Sequence, residues 1–257
     1  MSDGPRLSVA IIARDEEERL PACLASVRGL ADEIVVIDTM SRDRTGELAR
    51  AAGARVERCQ FEGFGPTKQR AVDATRGPWV LSLDADERVS PELAAEIRGA
   101  VTGPAAADGY ALRWRTYFLG RRMRFGGFGS EWVVKLFKRD SCRFTQVPLH
   151  EHVEVRGRVE RLTGPLEHHS IRTIGEFTDK LERYAAMHAE TLAARGVRYR
   201  WWDSLRLPVN FLLLYVVRLG FLDGMAGVIW AAGSAYHSWR KRDLLRRAPA
   251  AGPAAAR

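Results

Sequence analysis

Two carboxylates stand two residues apart at Asp84-Ala-Asp86, directly after the apolar run Trp79 to Leu83. The run is bounded by Gly77-Pro78 and reads as a buried strand. Side chains at i and i+2 of an extended chain share a face. Asp84 and Asp86 are therefore expected to point together into the crevice beyond the strand's C-terminal end, where open α/β sheets bind ligands. Such a pair suits a hard divalent cation that keeps a substrate phosphate as a further oxygen ligand. A lone Asp-x-Asp fits a solvated acidic turn as well, so the reading depends on the elements around it.

Those elements alternate. Leu7 to Ala13 is an apolar run, and Arg14-Asp-Glu-Glu-Glu18 then opens a helix to about Arg28, with its acids in the first turn. Ile34 to Ile37 is a second strand ending at Asp38. Ser41 to Thr45 is expected to cap a helix that stops at Gly53, and Arg55 to Cys59 forms a third strand. Gly63 to Pro66 reads as a loop, Thr67 to Arg76 as a helix, and Ser90-Pro91 as the cap and first position of another helix. This rhythm predicts an α/β fold with a mostly parallel sheet flanked by helices.

The second half changes character. Tyr110 to Thr116 and Trp132 to Lys138 read as strands, a short strand is expected near Val153, and Arg121 to Gly129 as a basic, glycine-rich, mobile loop. Ile174 to Ala194 carries apolar residues at helical spacing. Pro208 to Val217 and Met225 to Tyr236 are apolar, interrupted by Gly220-Phe-Leu-Asp-Gly224. Each is shorter than the ~20 residues a spanning helix needs. The division expected is 1–172 for the α/β domain, 173–247 for a helical, partly apolar extension and 248–257 for a disordered Ala/Pro-rich tail.

The 257 residues hold 40 Lys+Arg against 32 Asp+Glu, a net +8, which permits anionic partners without choosing among them. The basic residues are scattered and no nucleic-acid-binding motif occurs, so nucleic acid is not expected as a partner. Cys23, Cys59 and Cys142 are odd in number and far apart, which fits a reducing, cytoplasmic setting. No apolar leader precedes the first strand.

Taken together, the motifs resemble those of family 2 glycosyltransferases of the GT-A fold. Ser8-Val-Ala-Ile-Ile-Ala-Arg-Asp-Glu16 resembles the first nucleotide-binding strand and loop. Ile34 to Thr45 resembles the second, Lys68-Gln-Arg-Ala71 the third contact, and Leu83-Asp-Ala-Asp86 the DxD motif. Asp15 departs from the pattern, which usually has Asn there. The second half is similar to the lipopolysaccharide core β-glucosyltransferases. It shares the Gly-Gly-Phe loop before Lys135-Leu-Phe-Lys138, then His150-Glu151, His168-His-Ser170, Lys180 and Tyr184, and Gly220-Phe-Leu-Asp-Gly224.

The resemblance implies an inverting, metal-dependent transfer from a nucleotide sugar, a UDP-sugar, to an envelope glycolipid. The enzyme would be peripheral at the inner face of the cell membrane, with Mg2+ or Mn2+ as cofactor. Ala13, Arg14, Glu16, Asp38, Lys68 and Asp84 would hold the donor. Asp86 would bind the metal directly, with Asp84 on the ribose or the metal and His168 favoured over His169 to complete the shell. Glu151 would be the general base, with His150 or His152 as alternatives. Two other functions compete. A polyprenyl-phosphate sugar synthase would need no base, and a degenerate domain would bind nucleotide sugars or membranes without catalysis. The two C-terminal apolar stretches and the arginines after them read as a helix pair in an anionic membrane interface, or as ordinary packing on the core.

Overall fold

The computed structural model describes residues 4, 6–103, 106–129, 132–145 and 152–246. In chain order the elements are β1 (Leu7–Ala13), α1 (Leu20–Val27), β2 (Glu33–Asp38), α2 (Thr45–Ala51), β3 (Arg55–Arg58), α3 (Phe64–Asp73), β4 (Trp79–Asp84), β5 (Glu87–Val89) and α4 (Pro91–Thr102). There follow β6 (Gly109–Phe118), β7 (Arg121–Arg122), β8 (Trp132–Lys138), β9 (Cys142–Phe144), β10 (Val153–Val155), β11 (Val159–Ile171) and α5 (Ile174–Ala194). A short 3-10 turn, Trp201–Leu205, leads into α6 (Arg206–Leu212), which continues as a π-helical turn, Leu213–Val217. A second 3-10 turn, Gly220–Asp223, precedes α7 (Gly224–Asp243).

The main sheet runs β3-β2-β1-β4-β8-β6-β11-β5, with β7 beside β6. β3, β2, β1 and β4 pair in parallel; β8 joins β4 antiparallel, β6 joins β8 antiparallel, and β5 joins β11 antiparallel. The sheet is therefore mixed: a parallel half of βα units and an antiparallel half of long strands. β9 and β10 form a separate two-stranded ladder.

β1, β2 and β4 are buried on both faces, as their apolar runs demand, whereas β3, Arg55–Arg58, is partly exposed at the edge of the sheet. Val9, Ile11, Leu81 and Leu83 pack on one side against Leu20, Leu24 and Val27 of α1 and Leu93 and Ile97 of α4. Ala10, Val35, Ile37 and Val80 pack on the other with Ala71 and Val72 of α3. Ser90 caps α4 as expected, its hydroxyl accepting the Leu93 N–H at 3.2 Å.

Several boundaries differ from the sequence reading. α1 starts at Leu20, not at the acids of residues 15–18; these stay in a loop where Asp15 takes a left-handed φ of 55°. The acids are used as ties. Asp15 accepts the Arg42 N–H, Glu17 the Arg44 N–H, and Ser41 and Thr45 accept from Asp15 and Glu16. So Ser41 clasps two loops together rather than capping α2, which has no side-chain cap. α3 begins at Phe64, because Pro66 falls in its first turn, where a missing N–H costs nothing.

The chain divides into two compact units, residues 1–115 with 130–168, and residues 116–129 with 169–257. The second has its own core. Phe118, Met123, Ile171, Phe177 and Ala226 are buried together, with Phe128 and Trp230 against them. The Trp230 ring lies 4.6 Å from Phe128 and 5.5 Å from Phe118.

Candidate active site

β4 ends at Asp84, and Ala85-Asp86 is a turn, so the two carboxylates do not share a face of an extended strand. The chain reverses at once into β5, and Glu87 enters the sheet. The pair is thereby split between two neighbourhoods, both inside the first unit.

Asp84 faces two ammonium groups. Lys68 Nζ, from α3, lies 3.0 Å from its Oδ1, and Lys135 Nζ, from β8, lies 2.8 Å from its Oδ2. Lys135 also reaches Glu87 Oε2 at 2.8 Å. Glu87 is fully buried, and its carboxylate accepts the Asp84 N–H at 2.9 Å and the Trp114 indole N–H at 2.7 Å. Two carboxylates and two ammoniums thus neutralise one another in a closed quartet. Burial works to raise the Asp84 carboxyl, but Lys135 and Lys68 overcome it and hold the group far below the usual carboxylate range. Burial lifts Glu87 above its ordinary value against the pull of Lys135. Lys135 is held above its own ordinary value, burial being outweighed by Asp84 and Glu87.

Asp86 turns instead to His168, whose Nε2 lies 3.3 Å from its Oδ2. His168 comes from β11, in register with Glu87 of β5, and its ring stacks on Trp114 at 5.0 Å. Burial disfavours the imidazolium, yet the hydrogen bond and charge of Asp86, with that of Glu87, carry His168 above its ordinary value. His169, next along β11, stacks face to face on Tyr117 at 4.5 Å. Of the two histidines it is His168 that meets Asp86.

The other expected donor contacts lie at the C-terminal ends of β1 and β2. Ala13 is buried and its carbonyl accepts the Thr39 N–H at 2.9 Å. Asp38 is buried too, accepting the Ser41 N–H at 2.8 Å, with Arg58 Nε at 3.3 Å from its second oxygen. Arg14 is exposed, 3.8 Å from Asp15, and Glu16 pairs with Arg19 at 2.9 Å. Glu151 and His150 fall outside the described residues. His152 is exposed and lies 3.9 Å from Glu154. A surface cleft of about 630 Å³, lined by residues such as Leu24, Arg28, Ile34, Arg55 and Arg76, opens at the other ends of β2 and β3 and holds none of these residues.

Residues 8–149 match the family model described as glycosyl transferase family 2. The chain belongs to that family. This glycosyltransferase is 36% identical over 241 residues to an uncharacterized glycosyltransferase of Rickettsia bellii, covering 87% of this chain and 80% of that one. It is 27% identical to the lipopolysaccharide core biosynthesis glycosyltransferase LpsC of Rhizobium meliloti, over 94% of each. A TPR repeat-containing protein of Synechococcus elongatus is 38% identical over 151 residues, and there the match spans only 36% of the relative's length. Among solved structures it is similar to Staphylococcus aureus TarS in complex with UDP-GlcNAc, at 16% identity and a TM-score of 0.48, over 91% of this chain and 81% of that.

Sequence reasoning missed Glu87, Trp114 and Lys135 as members of the site. The signal was present. Lys135 interrupts the apolar run of β8, and a lysine buried in a strand needs a carboxylate partner. Glu87 extends the acidic Asp84-Ala-Asp86 group by one residue, and that placed it in the turn rather than in the sheet.

Proposed function

We propose that this glycosyltransferase moves a sugar, with inversion, from a UDP-sugar to a lipopolysaccharide core or related envelope glycolipid. It would act at the inner face of the cell membrane with the help of a divalent cation. The observation that carries the reading is the pairing of a neutralised quartet, Asp84, Glu87, Lys68 and Lys135, with the Asp86–His168 corner at the C-terminal end of β4. The name of the LpsC relative, a lipopolysaccharide core biosynthesis enzyme, supports the acceptor class.

The donor set at the corner fits a cation such as Mn2+ or Mg2+. A carboxylate oxygen and an imidazole nitrogen meet there at 3.3 Å, while Asp84 is taken up by two ammoniums. Among the described residues no third His, Cys, Asp or Glu joins them, so donor phosphate and water would supply the remaining ligands. Asp86 and His168 would hold the ion, which stabilises the charge growing on the diphosphate leaving group. Lys68, paired with Asp84 in the resting site, would turn its ammonium to the same phosphates once the donor is bound. Ala13, Arg14, Glu16 and Asp38 hold the nucleoside end at the tips of β1 and β2. Trp114, bonded to Glu87 and stacked on His168, fixes the imidazole's orientation. Glu151 removes the proton from the acceptor hydroxyl.

The deciding experiment screens purified protein against a panel of nucleotide sugars, with and without Mn2+ or Mg2+, using a deacylated core oligosaccharide as acceptor. Transfer from one UDP-sugar, lost in EDTA, is the expected result. Undiminished transfer in EDTA would remove the cation from the reading.

A further inference from the structure

The second unit carries an apolar surface that its own core does not use. Leu205, Val209, Leu212, Leu213, Val216 and Val217 are all exposed, and their spacing of three or four residues places them on one face of the helix from Trp201 to Val217. The chain then bends by 72° into the next helix. Phe221, Leu222 and Met225 extend the exposed patch around the bend, with Val217 69% and Met225 66% accessible. A contiguous patch of this kind marks an interaction site. Among the described residues no single helix is long and apolar enough to cross a membrane. The buried side of α7 is already spent, because Ala226, Gly227, Ala231 and Ala235 are covered and Trp230 sits in the aromatic core.

The bend is a built structure. Leu219 takes a left-handed φ of 58°. Gly220 and Gly227 cross so closely that a Cβ on Gly227 would overlap the Gly220 carbonyl oxygen. The expected mobile loop is docked onto it. Asp223 accepts the backbone N–H groups of Arg124, at 3.2 Å, and Phe125, at 2.9 Å, and the Arg218 carbonyl accepts the Gly126 N–H at 2.8 Å. Met123 anchors the same loop in the core beneath. Arg124 and Arg218 are exposed at the bend itself, and Arg121 and Arg122 are exposed on β7, three and two residues before Arg124 in the docked loop. From residue 198 to 246 there are eight basic residues and three acids. Each acid is engaged within the unit: Asp203 with Arg206, Asp243 with Arg240 and Arg246, and Asp223 with the loop. The tryptophan pair Trp201 and Trp202 stands exposed at the start of the helix, a residue type suited to the headgroup level.

We propose that the elbow formed by Leu212 to Met225, ringed by Arg121, Arg122, Arg124 and Arg218, docks in the plane of an anionic lipid leaflet. The apolar tip enters the acyl boundary and the arginines meet the headgroup phosphates. The occupant is a bilayer surface because apolar tip and arginine ring are both satisfied only where hydrocarbon lies beneath a layer of anions. The inference rests on the reading above for its purpose, bringing the enzyme to a lipid-linked acceptor.

The test is co-sedimentation of the full chain with vesicles of phosphatidylcholine containing phosphatidylglycerol, and with phosphatidylcholine alone. Tryptophan quenching by brominated lipid is read in parallel. The wild type is expected to pellet with the anionic vesicles and to be quenched. Val217→Glu with Met225→Glu should remain in the supernatant while keeping its circular dichroism and its transfer to a soluble acceptor. Arg121→Gln, Arg122→Gln and Arg124→Gln together should weaken partitioning by roughly 10²-fold, with the residual binding less salt-sensitive. Wild-type protein that stays in the supernatant unquenched, or a Val217/Met225 variant that pellets like wild type, would overturn the proposal. So would a lipid-free dimer in light scattering that the same double variant dissolves, since the patch would then be covered by a second copy. Vesicle binding without any sugar transfer would count for the elbow and against the transfer reading, so the two fail separately.

Discussion

Lys135 Nζ lies 2.8 Å from Asp84 Oδ2, so the first carboxylate of Asp84-Ala-Asp86 is paired with a buried ammonium. Asp86, two residues on, pairs instead with His168 Nε2 at 3.3 Å.

Lys135→Met should therefore destabilise the fold as well as the site. It leaves the buried Glu87 carboxylate without its ammonium partner and Asp84 with Lys68 alone. Removing one partner of a buried pair costs about 3–5 kcal/mol. Urea unfolding should show this loss, and Glu87→Gln added to Lys135→Met should recover part of it. Equal stabilities for wild type and Lys135→Met would mean that the quartet carries no net coupling.

Asp86→Ala should abolish transfer while leaving the urea midpoint nearly unchanged, because Asp86 sits in a turn at the sheet's edge. His168→Ala should weaken the Mn2+ requirement's apparent affinity before it lowers the maximal rate. Titrations of activity against Mn2+ for the two variants separate these effects.

Glu151→Gln should slow transfer by about 10²–10⁴-fold, the usual contribution of a general base, with donor affinity kept. Isothermal titration with the donor and single-turnover rates report the two quantities. An unimpaired Glu151→Gln enzyme would direct attention to a phosphate acceptor, which needs no base. His152→Ala should leave the rate unchanged.

The helical unit should lose stability in mild acid. His237 Nε2 lies 3.2 Å from His188 Nδ1, and burial, Lys241 and His188 together hold His237 down at about 4. Its ordinary value is 6.5, so between pH 6.5 and about 4 the unfolded chain takes up a proton that the folded chain refuses. Stability falls as pH drops through that window and is unaffected above it. Urea midpoints at pH 7.5, 6 and 5 (all three within reach of ordinary buffers) should decline for the wild type, and the decline should shrink in His237→Gln.

The parallel half of the sheet was legible because β1, β2 and β4 are buried on both faces and read as apolar runs. Leu7–Ala13 and α5 at Ile174–Ala194 fall where the patterns placed them. The antiparallel half was less legible. β5 is only three residues long, and its partner β11 lies some eighty residues further along the chain. Local pattern cannot announce such a pairing. For the same reason Asp84 and Asp86 were read as one site, when the turn between β4 and β5 sends them to different partners. The acids of residues 15–18 misled in another way. They suit a helix's first turn, but Asp15 and Glu17 find better donors in the backbone of the loop before α2. Glu151 rests on resemblance alone.

The register of His168 against Glu87 has a consequence for synthesis. Asp84, Asp86 and Glu87 leave the ribosome early, whereas His168 joins them only after the long strands β6 and β8 have been made and β11 has closed against β5. The last piece of the corner is thus delivered by the pairing of highest sequence separation, the slowest kind to form. A nascent or prematurely terminated chain that stops before Val159 carries the acidic turn and the lysines without the imidazole. The order of translation itself therefore keeps the Asp86–His168 corner unassembled until nearly the whole first unit exists.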